Sequence, residues 1–292
     1  MNRRTRIKLI TYGVLIGFML FLALLFYLTT YYESEVSLEK AAEQAAQQVA
    51  QRSAEETILP GNFSEDELLI YEGDDFTALI PRSAYSKNRE QSTFDPAGVK
   101  ADRGLMFYPG AKVEGIAYGP LLLPLAARGY PVVILKFPFH FAILEQNAGR
   151  RAMPRFPSVE KWTLSGHSLG GTVAGWEALD NHEQRNQDNP PDFTVDSMIY
   201  LASYSDARHD LSGTDLKILS IAGESDGLIS MEEIRERMHL FPEDARLVSI
   251  YGGNHAQFGS YGPQAGDAAA GISREAQQER TARLMLEFLE DL

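Results

Sequence analysis

The first strong pattern along the chain is an apolar run without a single charge, from Leu9 to Leu28. Its length of roughly twenty residues is what a helix needs to cross the hydrocarbon core of a bilayer. Basic residues precede the run and acidic residues follow it, which predicts a cytoplasmic N-terminus with the remainder outside. We therefore predict a basic tail over residues 1–8 and an uncleaved transmembrane helix, a signal anchor, over residues 9–30. A cleaved signal peptide is the alternative, although residues 29–33 contain no small-x-small cleavage site.

Alanine, glutamine and glutamate dominate the next stretch, most densely from Leu38 to Ala50. This composition strongly favours helix. We predict a helical stalk over residues 31–60, followed by one globular domain over residues 61–292.

From Gly104 onward, short apolar runs typical of buried strands alternate with helix-like segments. Such alternation predicts an α/β fold, in which a mostly parallel sheet is covered by helices on both faces. Two further strand-like runs, Leu68 to Tyr71 and Phe76 to Ile80, precede this region. The segment 203–215 between two predicted strands is too short for a large cap domain, so we expect an open site.

The sequence Gly-His-Ser-Leu-Gly-Gly occupies residues 166–171, between the strand-like run 161–165 and a helix-like segment. Glycines that flank a serine in this way let the chain turn sharply from strand to helix, which lifts the serine hydroxyl out of the sheet. The bare pattern also fits an ordinary strand-to-helix turn. Its context favours a nucleophile elbow, with Ser168 as the nucleophile.

An acid and a base follow predicted strands in the chain order that a Ser…Asp…His triad on such a sheet has. Asp226 comes after the apolar run 216–223 and is the candidate acid. Glu224 is the alternative acid, and a plain Asp-Gly turn is the alternative role for Asp226. His255 comes after the alternating run 245–251 and is the candidate base.

The chain has six histidines, and position separates them. His209 lies in a charged loop and is the second candidate for the base, whereas His167 would flank the serine without facing it. His182 and His239 fall in polar helical stretches, where we expect them to face solvent.

On these residues the chain resembles the α/β-hydrolase superfamily, and within it the compact group of dienelactone hydrolases and small carboxylesterases. The resemblance spans roughly residues 68–292. It implies that Ser168 is the nucleophile, Asp226 the acid and His255 the base.

The same resemblance implies an oxyanion hole made of two backbone amides. One would come from Leu169, directly after the nucleophile, and the other from the loop after the strand 104–108. Either Gly110 or Ala111 supplies this second amide, and the sequence leaves the choice open. The chain lacks the His-Gly-Gly-Gly loop of lipase and esterase relatives.

Residues that could line a substrate pocket follow the next strand. Phe137, Phe139 and His140 would lie at the catalytic edge of the sheet, although core packing is an equally good explanation for them. Lys112 could contact a substrate carboxylate, but a solvated surface lysine is the simpler interpretation. The glycine-rich segment 257–271, after His255, could act as a flap over the site.

Composition narrows the class of function. The net charge of −13 argues against binding of nucleic acid. The sequence contains no cysteine, which excludes disulfides and metal–thiolate sites. The triad chemistry needs neither a metal nor an organic cofactor. We expect a membrane-anchored serine hydrolase, outside the cell membrane, that cleaves a small-molecule carboxylic ester or related acyl bond; its other partner is the lipid bilayer around the N-terminal helix. The alternatives are an acyltransferase or peptidase on the same triad, and a non-catalytic membrane-tethered binding module.

Overall fold

The computed structural model describes residues 16–27, 29–51, 58–60, 63–86, 93–185, 187–188 and 190–292. The predicted basic tail and the first part of the predicted transmembrane segment lie outside the described residues. Residues 16–27 form a helix, α1, whose side chains are all exposed. In the part of the chain that the structure describes, no helix is both long and apolar enough to cross a bilayer.

The predicted helical stretch after the apolar run is helix α2, Leu38–Gln51. It does not stand free as a stalk. Leu38, Ala41 and Ala42 are buried in the hydrophobic core, and α2 packs against helix α3, Gly119–Ala127. The fit is so close that a Cβ added to Gly119 would lie 2.1 Å from Leu38 Cδ2. The small alanine side chains thus let the helix approach the domain, a packing that composition alone does not reveal.

One eight-stranded sheet forms the centre of the domain. Its strands are β1 Leu68–Glu72, β2 Phe76–Pro81, β3 Lys100–Tyr108, β4 Val132–Leu135, β5 Ser158–His167, β6 Thr194–Leu201, β7 Lys217–Gly223 and β8 Arg246–Ile250. The spatial order is β1-β2-β4-β3-β5-β6-β7-β8. β1 pairs antiparallel with β2 and β2 with β4, whereas β4, β3, β5, β6, β7 and β8 are parallel neighbours. The prediction of a mostly parallel sheet is confirmed.

Two apolar layers cover the sheet, because successive side chains of a strand point to opposite faces. On β3, Leu105 and Phe107 enter one layer, and Met106 and Tyr108 enter the other. The other α-helices of the domain are α4 Ala148–Ala152, α5 Leu169–Arg185, α6 Met231–Arg237 and α7 Arg274–Glu290. The first layer is covered by α2, α3 and α7, and the second by α4 and α5.

A buried ion pair joins three central strands near their amino ends. Arg103 on β3 donates from its two terminal nitrogens to both carboxylate oxygens of Asp196 on β6, with Nη2 to Oδ2 at 2.9 Å. Arg103 Nη1 also donates to Thr163 Oγ1 on β5 at 3.2 Å and to Ser197 Oγ at 2.9 Å. Burial raises the pKa of Asp196, but the hydrogen bond and charge of Arg103 outweigh it and lower the pKa overall.

We expect Arg103→Met to lower the free energy of unfolding by about 3 kcal/mol, because Asp196 would keep a half-buried charge without its main partner. Urea denaturation measures this loss. Lys161→Met is the matched control, since Lys161 Nζ lies 3.4 Å from the same carboxylate but its side chain is 51% exposed. The control should lose less than about 1 kcal/mol. Equal losses for the two variants would contradict the assignment of Arg103 as the structural partner.

Candidate active site

The predicted elbow is a single residue between two elements: β5 ends at His167, and α5 begins at Leu169. Ser168, between them, has a φ of 52°, in the left-handed region that non-glycine residues seldom adopt. Its backbone N–H donates to Leu201 O at the end of β6, at 3.0 Å. The strained turn therefore presents the serine side chain at the carboxyl edge of the sheet.

Two glycines make the turn possible. A Cβ on Gly166 would lie 2.6 Å from Gly171 N, inside the turn itself. A Cβ on Gly170 would lie 2.3 Å from Tyr108 O and 2.2 Å from Pro109 O. The first turn of α5 thus rests directly on the backbone that leaves β3, and no larger residue fits between them.

Asp226 and His255 meet at the same edge of the sheet. Asp226 Oδ2 lies 2.8 Å from His255 Nδ1, and the two side chains are 0% and 1% exposed. The other carboxylate oxygen accepts the N–H groups of Leu228 and Ile229, both at 2.8 Å. These two backbone donors fix the orientation of the carboxyl group, and its other oxygen in turn holds the Nδ1 side of the imidazole ring.

The second ring nitrogen of His255, Nε2, is left as the basic atom. It is buried and forms no hydrogen bond with any described residue, Ser168 included. The ring of His167, the residue before the serine, has its centroid 4.5 Å from that of His255. The structure thus brings the predicted acid and the predicted base together, next to the residue before Ser168 and without a hydrogen bond to the serine hydroxyl. Loose contacts of this kind are common in ligand-free sites.

The rival acid and base have other partners. Glu224 accepts a hydrogen bond from Ser249 Oγ at 2.7 Å. His209 contacts Asp206 through Nδ1 at 3.0 Å and stacks on Trp176 with a centroid distance of 4.7 Å. Neither contact joins these residues to the Ser168 elbow. Within the described residues, no group of three or more His, Asp or Glu side chains is placed to hold a metal ion.

The loop after β3 distinguishes the two candidate oxyanion amides. Gly110 N donates to the hydroxyl of Tyr118 at 3.1 Å. Among the described residues, the amides of Ala111 and Leu169 have no hydrogen-bond acceptor. Of the two alternatives left open by the sequence, only Ala111 therefore has an N–H free for a ligand.

Tyr118 and His167 form a buried pair that the sequence did not reveal. The Tyr118 hydroxyl lies 2.8 Å from His167 Nδ1. Burial raises the pKa of Tyr118, and burial together with the neighbouring His255 lowers the pKa of His167 well below its ordinary value. Both shifts favour the neutral forms, so a neutral phenol and a neutral imidazole share this hydrogen bond. Tyr118 carries no motif, so only the tertiary structure identifies it.

The predicted pocket residues divide between core and surface. Phe137 is buried and packs against Tyr108 at a centroid distance of 5.7 Å, so core packing explains it. Phe139 is exposed and His140 is half-exposed, and both have positive φ, 53° and 58°. Lys112 is not a free surface lysine: its Nζ donates to Thr30 Oγ1 at 2.9 Å and lies 4.1 Å from the centre of the Tyr27 ring.

The segment after His255, which we expected to be free to act as a flap, is fastened to the site. Asp267 accepts the amides of Ala256 at 2.8 Å and Gly227 at 3.0 Å. Asn254 Nδ2 donates to Ala268 O at 2.8 Å. The segment therefore holds the acid turn and the base loop together, a structural role instead of a gating one.

Comparison with known proteins establishes the family of the chain. The model of the "Alpha/beta hydrolase family" matches residues 104–279. The chain belongs to the alpha/beta hydrolase family. The predicted family and fold are thus confirmed, whereas the dienelactone-hydrolase-like subgroup stays a prediction. No curated protein sequence matches the chain significantly.

Solved structures with the same fold include esterase 2 of Thermogutta terrifontis. The form phosphoramylated by tabun has a TM-score of 0.51 at 14% identity, over 77% of this chain and 94% of that one. The propionate-bound form has a TM-score of 0.51 at 15% identity, over 77% and 93%. At this identity the likeness establishes the fold alone.

A buried carboxyl group is hydrogen-bonded to the last residue of β3, at the start of the proposed oxyanion loop. Glu177 on α5 accepts a hydrogen bond from the Tyr108 hydroxyl at 2.7 Å, and Tyr108 directly precedes the Pro109–Ala111 loop. Burial raises the pKa of Glu177 from 4.5 to about 7. A Cβ on Gly149 of α4 would lie 2.7 Å from Glu177 Oε1, so the carboxyl fills the contact between α4, α5 and β3.

This raised pKa predicts a pH-dependent stability. Between pH 4.5 and about 7, Glu177 is ionised in the unfolded chain and protonated in the folded one, so the folded state binds more protons. The free energy of unfolding should fall by up to about 1.4 kcal/mol per pH unit across this window. Glu177→Gln should flatten that slope in urea titrations, whereas Glu183→Gln, at an exposed position of the same helix, should leave it unchanged. The same slope in both variants would refute a buried, protonated Glu177.

Proposed function

We propose that the protein is a membrane-anchored serine hydrolase of the carboxylesterase type, which cleaves a carboxylic ester through an acyl-enzyme. The observation that carries this proposal is the buried Asp226–His255 pair: its Nε2 has no partner among the described residues, and its ring lies 4.5 Å from that of His167, the residue before the strained Ser168. A structural turn has no need for a buried ion-pair partner, an unengaged basic nitrogen and a strained serine at one place.

The proposed reaction has two halves, formation and hydrolysis of the acyl-enzyme, and the same groups act in both. His255 Nε2 takes the proton of the Ser168 hydroxyl as Oγ attacks the acyl carbonyl, and Asp226 stabilises the imidazolium that forms. The alcohol leaves with the proton that His255 returns. A water molecule, deprotonated by the same nitrogen, then attacks the acyl-enzyme and releases the acid.

We assign the developing oxyanion to the amides of Leu169 and Ala111, which have no acceptor among the described residues. Tyr118 positions this loop, because its hydroxyl holds the adjacent Gly110 amide on one side and His167 on the other. His167 is thereby fixed against the ring of His255. One buried phenol thus links the proposed oxyanion loop to the proposed base.

The proposed anchor rests on the charge-free run from Leu9 to Leu28 and on the exposed helix α1 within it. An apolar helix with every side chain exposed is unfavourable in water and favourable in lipid. The basic residues before the run place the N-terminus inside and the catalytic domain outside.

Covalent labelling of the full chain with a fluorophosphonate tests the proposal. We expect one adduct, at Ser168, because among the serines that the structure describes it alone combines a strained elbow with a nearby proposed base and oxyanion site. Ser168→Ala should abolish the adduct and reduce p-nitrophenyl acetate hydrolysis by about 10⁴-fold or more. Asp226→Asn should reduce turnover by about 10⁴-fold through the wrong imidazole tautomer. Ser212→Ala, at an exposed serine remote in sequence from the motif, is the control; an adduct elsewhere, or full activity of Ser168→Ala, rules out the assignment.

A second variant tests the positioning role of Tyr118. Tyr118→Phe keeps the ring but removes the hydroxyl, so the loop loses the acceptor that holds Gly110. We expect kcat for p-nitrophenyl acetate to fall by about tenfold or more, with KM little changed, because the oxyanion contact matters most in the transition state. Tyr261→Phe is the matched control: its ring lies 6.3 Å from that of Tyr118, but its hydroxyl bonds Gln264 instead. An unchanged kcat for Tyr118→Phe would contradict the role.

A further inference from the structure

The segment between α1 and α2 is fastened to the proposed oxyanion loop. Tyr32 N donates to Lys112 O at 2.6 Å, and Glu114 N donates to Tyr32 O at 3.0 Å. Ser34 N donates to the Glu114 carboxylate at 2.8 Å. These bonds fix the carboxyl end of α1 beside the loop that follows β3.

The loop after β4 is held at the same place. Lys112 N donates to His140 O at 2.8 Å. The Tyr31 ring stacks on His140 with a centroid distance of 4.1 Å, and Tyr27 lies 6.4 Å from Phe141. The end of α1, the proposed oxyanion loop and the loop after β4 therefore form one structural unit.

This unit carries large apolar side chains that the described chain leaves about half exposed. Ile143 and Leu144, in the loop after β4, are 42% and 56% exposed, and Phe139, Tyr27 and Tyr31 are also exposed. We call these five residues the apolar rim. Large apolar side chains grouped beside a catalytic edge indicate a contact surface, because water does not favour their exposure.

Continuity with α1 identifies what the rim contacts. The exposed apolar side chains do not end at the rim but continue along α1, which lies within the charge-free run of the sequence. Tyrosines and a lysine occur at the junction, with Lys112 Nζ over the Tyr27 ring at 4.1 Å, the residue types that favour the headgroup level of a bilayer. A protein partner would leave the remainder of α1 uncovered, whereas a lipid bilayer covers both.

We propose that the apolar rim rests on the surface of the bilayer that holds α1, so that the catalytic site takes amphiphilic, lipid-like esters directly from the membrane. The inference rests on the proposed hydrolase function and names its substrate class. Because the loop after β4 is hydrogen-bonded to the residue after Ala111, an acyl chain that leaves the bilayer at the rim is close to the proposed oxyanion amides.

The position of the rim is tested without any activity. The full chain is reconstituted in phosphatidylcholine vesicles as Leu144→Trp or, for comparison, as Leu292→Trp. Leu292 is 38% exposed and shares a cleft with Lys100, the first residue of β3, at the amino edge of the sheet. Lipids with brominated acyl chains should quench the added fluorescence of Leu144→Trp and not that of Leu292→Trp. Equal quenching of the two variants overturns the proposal. Absence of quenching in both also overturns it, and this is the result expected if the rim contacts a second copy of the chain.

The substrate class is tested by two rates in the same vesicles. Ile143→Ser combined with Leu144→Ser should reduce hydrolysis of p-nitrophenyl palmitate held in the bilayer by about tenfold, because two apolar contacts with lipid are lost. Hydrolysis of soluble p-nitrophenyl acetate should stay within twofold, and Leu292→Ser should change neither rate. Equal loss on both esters, or no loss on palmitate, overturns the proposal. Absence of Ser168-dependent acetate hydrolysis in the unmodified chain would instead refute the proposed function, and the quenching result would still decide the position of the rim.

Discussion

The close contact between the nucleophile turn and the end of β3 is the constraint on which the rest of the site depends. Gly170 touches the carbonyls of Tyr108 and Pro109, so the first turn of α5 and the loop after β3 cannot move separately. The proposed nucleophile and both proposed oxyanion amides lie on these two segments. Their geometry is therefore set by backbone packing between neighbouring parallel strands, and the strain at Ser168 is stored in a contact that the surrounding sheet enforces.

Buried hydrogen bonds reinforce that contact from two sides. Glu177 holds Tyr108 from the α5 side, and Tyr118 holds Gly110 and His167 from the α3 side. The bonded atoms of these groups are buried, so a shift of the loop would leave a buried donor or acceptor unsatisfied. Rigidity of the proposed oxyanion site thus comes from the cost of breaking these bonds, with no contribution from the exposed side chains at the rim.

Those features of the fold and of the site that depend on short stretches of sequence could be predicted from the sequence. The strand-to-helix turn at Ser168, the alternation that gives the parallel sheet and the strand ends before Asp226 and His255 are all readable from short windows of sequence. Tyr118 could not be predicted in the same way, because its role depends on a contact with His167, which is 49 positions away. The docking of α2 escaped prediction for a similar reason: alanine-rich helices look alike whether they stand free or fill a groove beside Gly119.

The attachment of the N-terminal segment restricts the orientation of the domain relative to α1. If a flexible linker joined the anchor to the domain, the catalytic edge could take any orientation relative to the anchor, because such a linker does not restrict the domain. Here Tyr32 and Ser34 bond Lys112 and Glu114, which follow the proposed oxyanion loop directly, so the orientation of the domain is coupled to that of α1. In the proposed orientation, the exposed side chains of Ile143 and Leu144 would face the bilayer that holds α1. The attachment at this one loop also joins the two parts of the rim, because Tyr31 of the N-terminal segment stacks on His140 of the loop after β4.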